Sequence, residues 1–171
     1  MPDSCCVVDM NVLLVAGGQH QDVTPDCVVE CALRLKRIME GGRIALDDGY
    51  EILGEYLHKN VPARQKHLGD LFAQWAVRNW KNPERCELAR LVRDVDGEYE
   101  AFPKHPDLAN FDPPDKKFVA VAASLPDHPP ILEAADSKWL DWAPALAEHG
   151  LTVSFICTAD LERFHQKKFG S

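Results

Sequence analysis

Short apolar runs alternate along the chain with longer stretches whose apolar positions recur every three or four residues. Cys5-Cys6-Val7-Val8-Asp9 is apolar without a break until its final acid, the pattern of a strand buried on both faces of a parallel sheet. Asn11–Val15 continues into a turn or short helix that Gly17-Gly18 ends. Thr24-Pro25 predicts a helix start, with Thr24 as cap and Pro25 at the first position. Apolar residues then fall at helical spacing from Val28 to Met39, and Gly41-Gly42 stops them.

The alternation continues. Arg43–Asp47 predicts a second strand, and Asp48 with Glu51 resembles a capping box for a helix carrying Ile52, Leu53, Tyr56 and Leu57. A helix is expected from Pro62 to Trp80, with Leu68, Leu71, Phe72, Trp75 and Trp80 on its apolar side. Residues 86–93 fit strand or helix, and 94–114 read as a long functional or mobile loop rich in Asp, Glu and Pro. Asp112, as cap, opens a helix with Phe118, Val119, Ala122 and Ala123 inward. Pro130–Asp136 predicts a third strand, Trp139–His149 a helix closed by Gly150, Leu151–Ile156 a fourth strand, and Ala159–Lys168 a short last helix. Strands alternating with helices predict an α/β class: three layers, α/β/α, around a central, mostly parallel sheet.

Length and composition narrow the picture. The chain has 171 residues, 46% hydrophobic and 27% charged, which predicts one soluble globular domain across 1–171. No apolar run is long enough for a membrane span. Met1-Pro2-Asp3-Ser4 lacks the basic and apolar regions of a secretory signal, so a cytoplasmic location is expected. In that setting Cys5, Cys6, Cys27, Cys31, Cys86 and Cys157 read as reduced thiols. Cys27 and Cys31 are four apart on a predicted helix, but no second ligand pair with zinc spacing follows.

Charge adds a contrast. The net charge is −8, distributed as −6 over residues 1–58, +5 over 59–93 and −7 over 94–171. An acidic body with one basic arm argues against a nonspecific nucleic-acid coat and permits local binding of a polyanion. Lys59, Arg78, Lys81 and Arg85 are the candidate phosphate contacts, and Trp80 beside Lys81 offers a face for base stacking. The same run also fits a solvated helix face.

The acids carry the chemistry. All strands of a parallel sheet end on one edge, where ligands bind. Asp9 and Asp136 fall at predicted strand ends, Asp115 at a helix start, and Glu51 and Glu55 one turn apart on the helix after strand two. Carboxylates gathered there repel one another, and a hard divalent cation such as Mg²⁺ or Mn²⁺ offsets that cost. The histidines show neither metal spacing nor a nucleophile partner.

The run Val7-Val8-Asp9-Met10-Asn11-Val12-Leu13 resembles the first motif of the PIN-domain nucleases. Glu55 within Glu51–Leu57, Asp115 in Asp112-Pro113-Pro114-Asp115, and Asp136 in Ala135-Asp136-Ser137 resemble that family's second, third and fourth acids, in order, over about residues 5–156. The resemblance implies a metal-dependent endoribonuclease using Mg²⁺ or Mn²⁺. Asp9, Glu55, Asp115 and Asp136 would be ligands, and Asn11 would orient Asp9 or a phosphate. Many family members are toxins, so an antitoxin joins RNA as an implied partner, and a homodimer stays open. Two positions depart from the pattern. Ala134 stands where Thr or Ser is common, and Ser137-Lys138 where another acid often follows. These departures leave a catalytically idle RNA- or protein-binding module as the alternative. A phosphatase of the haloacid dehalogenase type ranks lower, because its nucleophile motif needs an acid where this chain has Asn11.

Overall fold

A computed structural model describes residues 5–59 and 67–169. Five strands form one sheet: β1 (Cys5–Val8), β2 (Arg43–Asp47), β3 (Cys86–Ala89), β4 (Ile131–Glu133) and β5 (Val153–Phe155). Every pairing is parallel and the order is β3-β2-β1-β4-β5. The predicted α/β class holds, and the ambiguous 86–93 stretch supplies an edge strand. The chain winds outward from β1 to β3, then returns to lay β4 against the other side of β1. The order therefore reverses between β1 and β4, and a crevice opens beyond their carboxyl ends.

The helices follow the local signals. α1 (Met10–Ala16) starts directly after Asp9, which caps it by accepting from the Asn11 N–H at 3.1 Å. α2 (Pro25–Gly41) has Thr24 as cap and ends at Gly42, where a Cβ would come within 2.9 Å of Ile38 Cα. α3 (Glu51–Lys59) is capped by Asp47, not Asp48: its carboxylate accepts from the Glu51 and Ile52 N–H groups at 2.8 and 2.9 Å. α4 (Leu68–Asn79) begins after His67, and the predicted start at Pro62 lies outside the described residues. It buries Phe72, Ala73, Trp75 and Ala76 and leaves Leu71 exposed. α5 (Lys116–Ser124) lies across β1, β2 and β4. α6 (Lys138–Glu148) and α7 (Thr158–Phe169) complete the described chain. No helix among the described residues is long and apolar enough to cross a membrane.

The core is continuous from Val7, Val8, Ile44, Leu46, Ile131 and Leu132 in the sheet to Leu13, Leu35, Ile52, Leu53, Phe118 and Trp139 in the helices. The long 94–114 loop is docked by its own apolar residues. Leu108 and Phe111 are buried, and the Phe111 ring packs 4.1 Å from Trp142 and 5.2 Å from Trp139. Two 3₁₀ turns, Pro106–Leu108 and Pro113–Asp115, organise its second half and deliver Asp115 to the start of α5. Asp112 caps the second turn by position only, because its carboxylate is turned to Lys138.

The expectation of six reduced thiols is corrected. Cys27, in the first turn of α2, is disulfide-bonded to Cys157, which precedes α7. Spacing could not reveal a pairing between residues 130 apart; the crossovers that bring the start of α7 to the start of α2 create it. Beside the bond, Thr24 N–H and Oγ1 donate to the Asp160 carboxylate at 2.7 and 2.8 Å, which ties the two helix starts together again.

Candidate functional site

Four elements aim acids at the crevice. Asp9 is buried at the end of β1. Its place is held from below by the Tyr56 hydroxyl, which donates to the Val8 carbonyl at 2.5 Å. Asp136 follows β4, and its carboxylate accepts from the Lys138 N–H at 3.1 Å. Asp115 stands at the cap position of α5 but makes no capping bond, so its carboxylate is not engaged by the helix. Glu55 projects from α3 and pairs with Lys117 at 2.7 Å; both side chains are 11% exposed. Asp9, Glu55, Asp115 and Asp136, with Asn11, Asp112 and Lys138, line one cavity of about 460 Å³.

Of the two acids on α3, Glu51 is spent elsewhere. It accepts from Arg93 at 2.6 Å and from the Tyr99 hydroxyl at 2.8 Å. Asn11 holds the opposite wall: its Oδ1 accepts from the Ala135 N–H at 3.4 Å, bracing α1 against the loop that carries Asp136. The sequence reading missed Glu133. This last residue of β4 is fully buried and its carboxyl meets that of Asp9, the two sharing a hydrogen bond when one is protonated; no N–H or hydroxyl donor reaches the Glu133 oxygens or Asp9 Oδ1. The available signal was an acid inside an otherwise apolar buried strand, where a charge is costly.

Electrostatics follow from that crowding. Burial, then the charges of Asp9, Asp136 and Glu55, raise Asp115 from an ordinary 3.8 to about 7. Asp9 is raised by burial; its hydrogen bonds with the Glu133 carboxyl and the Asn11 N–H oppose the rise, and the Glu55 and Asp136 charges add to it. Burial first, and then Asp9, push Glu133 well above the usual carboxyl range. Crowded, repelling carboxyls whose oxygens meet no N–H or hydroxyl donor can be relieved by a shared proton, as between Asp9 and Glu133, or by a hard, oxygen-preferring divalent cation. No three of these acids bring carboxylate oxygens within 4.8 Å of one another, so Asp9, Asp115 and Asp136 could hold such a cation only by drawing together, and Glu55 would first have to share or release Lys117.

A pH dependence follows. Folded Asp115 holds its proton more tightly than the unfolded chain does. Its contribution to stability is therefore complete below 3.8 and is lost as pH rises through about 7. In chelator, the melting temperature should fall across that interval, and Asp115→Asn should flatten the fall. Equal slopes for both proteins would show that Asp115 is not crowded by its neighbours.

The candidate phosphate contacts are dispersed. Arg85 donates to the carbonyls of Gly42 and Glu40 at 3.0 and 3.3 Å, so it braces the amino end of β2, away from the crevice. Arg78 and Lys81 are exposed, with the Lys81 ammonium 5.3 Å from the Trp80 ring. That ring packs edge-on against Tyr50 at 5.1 Å and donates to the Asp47 carbonyl at 3.1 Å. The Lys59 side chain lies outside the described residues. Lys138, marked in the sequence only as a departure, lines the acidic cavity and pairs with Asp112.

Fold and site together define a parallel α/β protein with a carboxylate cluster at its switch point. Comparison with family models, with curated proteins and with solved structures gives no significant match.

Proposed function

We propose that this chain is a divalent-metal-dependent endoribonuclease of the PIN type, acting on cytoplasmic RNA with Mg²⁺ or Mn²⁺. The observation that carries this reading is the single cavity lined by Asp9, Glu55, Asp115 and Asp136 at the reversal of strand order. When bound, the cation supplies Lewis acidity and lowers the pKa of a coordinated water.

The chain's own groups have definable tasks. Asp9 at the end of β1, Asp136 after β4 and Asp115 at the start of α5 would hold the cation. Asn11 keeps the Asp136 loop at its distance from α1. Lys138 offers a fixed positive charge to a phosphate oxygen entering the cavity, where an ammonium stabilises charge developing on that oxygen. No side chain need act as a nucleophile.

The test is cleavage of mixed RNAs with Mg²⁺, with Mn²⁺ and with chelator. Cleavage that requires the cation and is lost in Asp9→Asn supports the reading; no cleavage with either metal sinks it. One observation favours a second reading, an idle RNA- or protein-binding module: Lys117 already neutralises Glu55. Under that reading RNA binds without being cut.

Binding itself is tested through salt. Arg78 and Lys81 are free to meet a polyanion, and each phosphate contact on a single strand contributes a slope of about −0.7 in log affinity against log salt. Replacing both with Ala should weaken RNA binding and flatten the slope, with little change in cleavage at saturating RNA. Identical slopes for both proteins would show that this surface does not touch RNA and would point instead to an acidic protein partner.

A further inference from the structure

The disulfide uses two sulfurs, yet a third is held beside it. Cys31 lies one turn beyond Cys27 on α2, is fully buried, and places its Sγ 3.7 Å from Cys157 Sγ. The Cys27, Cys31 and Cys157 sulfurs all lie within 4.8 Å of one another, and no fourth candidate ligand joins the group among the described residues. Metal–thiolate bonds of about 2.3 Å give sulfur–sulfur edges of roughly 3.7–4.0 Å in tetrahedral or trigonal arrangements. The Cys31–Cys157 separation already has that length. The Cys27–Cys157 pair would reach it once its bond is opened.

The surroundings favour thiolates on a cation. Cys27 sits in the first turn of a 17-residue helix and Cys157 immediately before a 12-residue one, so two positive helix ends converge on the sulfurs. Rigid contacts hold the ligands in place. The Cys157 N–H donates to the Ala134 carbonyl at 3.0 Å, and the Cys27 N–H to Thr24 Oγ1 at 3.2 Å. Asp160 is not a competing ligand, because Thr24 and Arg163 occupy its carboxylate.

We propose that, with the Cys27–Cys157 bond reduced, Cys27, Cys31 and Cys157 bind one thiophilic divalent cation of the Zn²⁺ class as a tris-thiolate. A dithiol supplies two electrons and two protons and leaves as its own disulfide, or a phosphine supplies two electrons while water supplies the two protons and the oxygen of the phosphine oxide; either way Cys27 and Cys157 become thiols. Binding then releases three protons, one from each thiol. The disulfide and the metal are mutually exclusive, so this site reads the redox state and is independent of the carboxylate cavity.

The experiment titrates the phosphine-reduced full chain with Cd²⁺ as a probe of the same class, following thiolate-to-metal charge-transfer absorption. Carboxylates give no such band, and Asp9→Asn should leave it unchanged. The reduced wild type should take up one equivalent, and the oxidised protein should show no band. Cys31→Ser retains the disulfide pair and hence the oxidised fold; after reduction it should lose the band at one equivalent. Failure of the reduced wild type to bind overturns the proposal. So does a Cys31→Ser band equal to the wild type's, which would exclude Cys31 as a ligand.

Discussion

Asp9→Asn should lower metal-dependent RNA cleavage by about a hundredfold or more while leaving the protein folded. Lewis-acid stabilisation is worth several kcal/mol, and each 1.36 kcal/mol is tenfold in rate. Asp9 is the cluster's most deeply buried cavity-lining acid, at 4% exposure, and no N–H or hydroxyl donor reaches its Oδ1, which faces the buried Glu133 carboxyl. Asparagine keeps the shape and an oxygen to accept from the Asn11 N–H, but it removes the charge a cation needs. The same change should stabilise the metal-free protein, because one member of a repelling group is neutralised. A gain of about 1 kcal/mol corresponds to about 2–4 °C in a chain of this size. Mg²⁺ at a hundred times its dissociation constant should add about 2.7 kcal/mol to the wild type by linkage, and much less to the variant. Wild-type cleavage rates in Asp9→Asn would remove Asp9 from the metal site. A large loss of stability would instead show that its charge is structurally required.

Reducing the Cys27–Cys157 bond should cost the protein about 4–5 kcal/mol, because the bond closes a very long loop and removes that freedom from the unfolded chain. At about 2–4 °C per kcal/mol, the melting temperature should drop by roughly 10–20 °C. Cys157→Ser should reproduce the drop and be insensitive to added reductant. Cys31→Ser should destabilise the oxidised protein far less than Cys157→Ser, since its thiol is outside the bond and the loss is limited to burying a hydroxyl in an apolar site. The Thr24–Asp160 bonds still join α2 to α7 after reduction, so the chain should stay folded at ambient temperature. An oxidised and a reduced sample melting together would mean that the two sulfurs are not bonded in solution. Loss of the fold on reduction would mean that these polar contacts cannot hold α7 alone.

Why some features were readable and others not has a physical basis. The α2 boundaries depend on neighbours in sequence: Thr24 caps it, Pro25 starts it and Gly42 ends it. Strands β1, β2 and β4 announce themselves because a sheet buried on both faces demands uninterrupted apolar residues. The cap of α3 was misread by one residue. Asp47 and Asp48 are equivalent in the pattern, and only the exit direction of β2 decides which carboxylate meets the Glu51 and Ile52 N–H groups. The loop at 94–114 reads as unanchored because its anchor, Phe111, packs on Trp139 and Trp142 far along the chain.

The candidate site divides along the same line. That Asp9 and Asp136 fall at the same edge follows from the sequence, because both end strands and all strands of a parallel sheet point one way. Which strands become neighbours is decided by packing across the whole chain. The β1–β4 pairing sets Asp136 beside Asp9, brings Glu133 beneath them and opens the cavity that Glu55, Asp115 and Lys138 line. Local pattern likewise places Cys27 and Cys31 one turn apart on a helix face. Cys157 joins them only when the last crossover brings the start of α7 to the start of α2, because loop closure between such distant residues leaves no local signal.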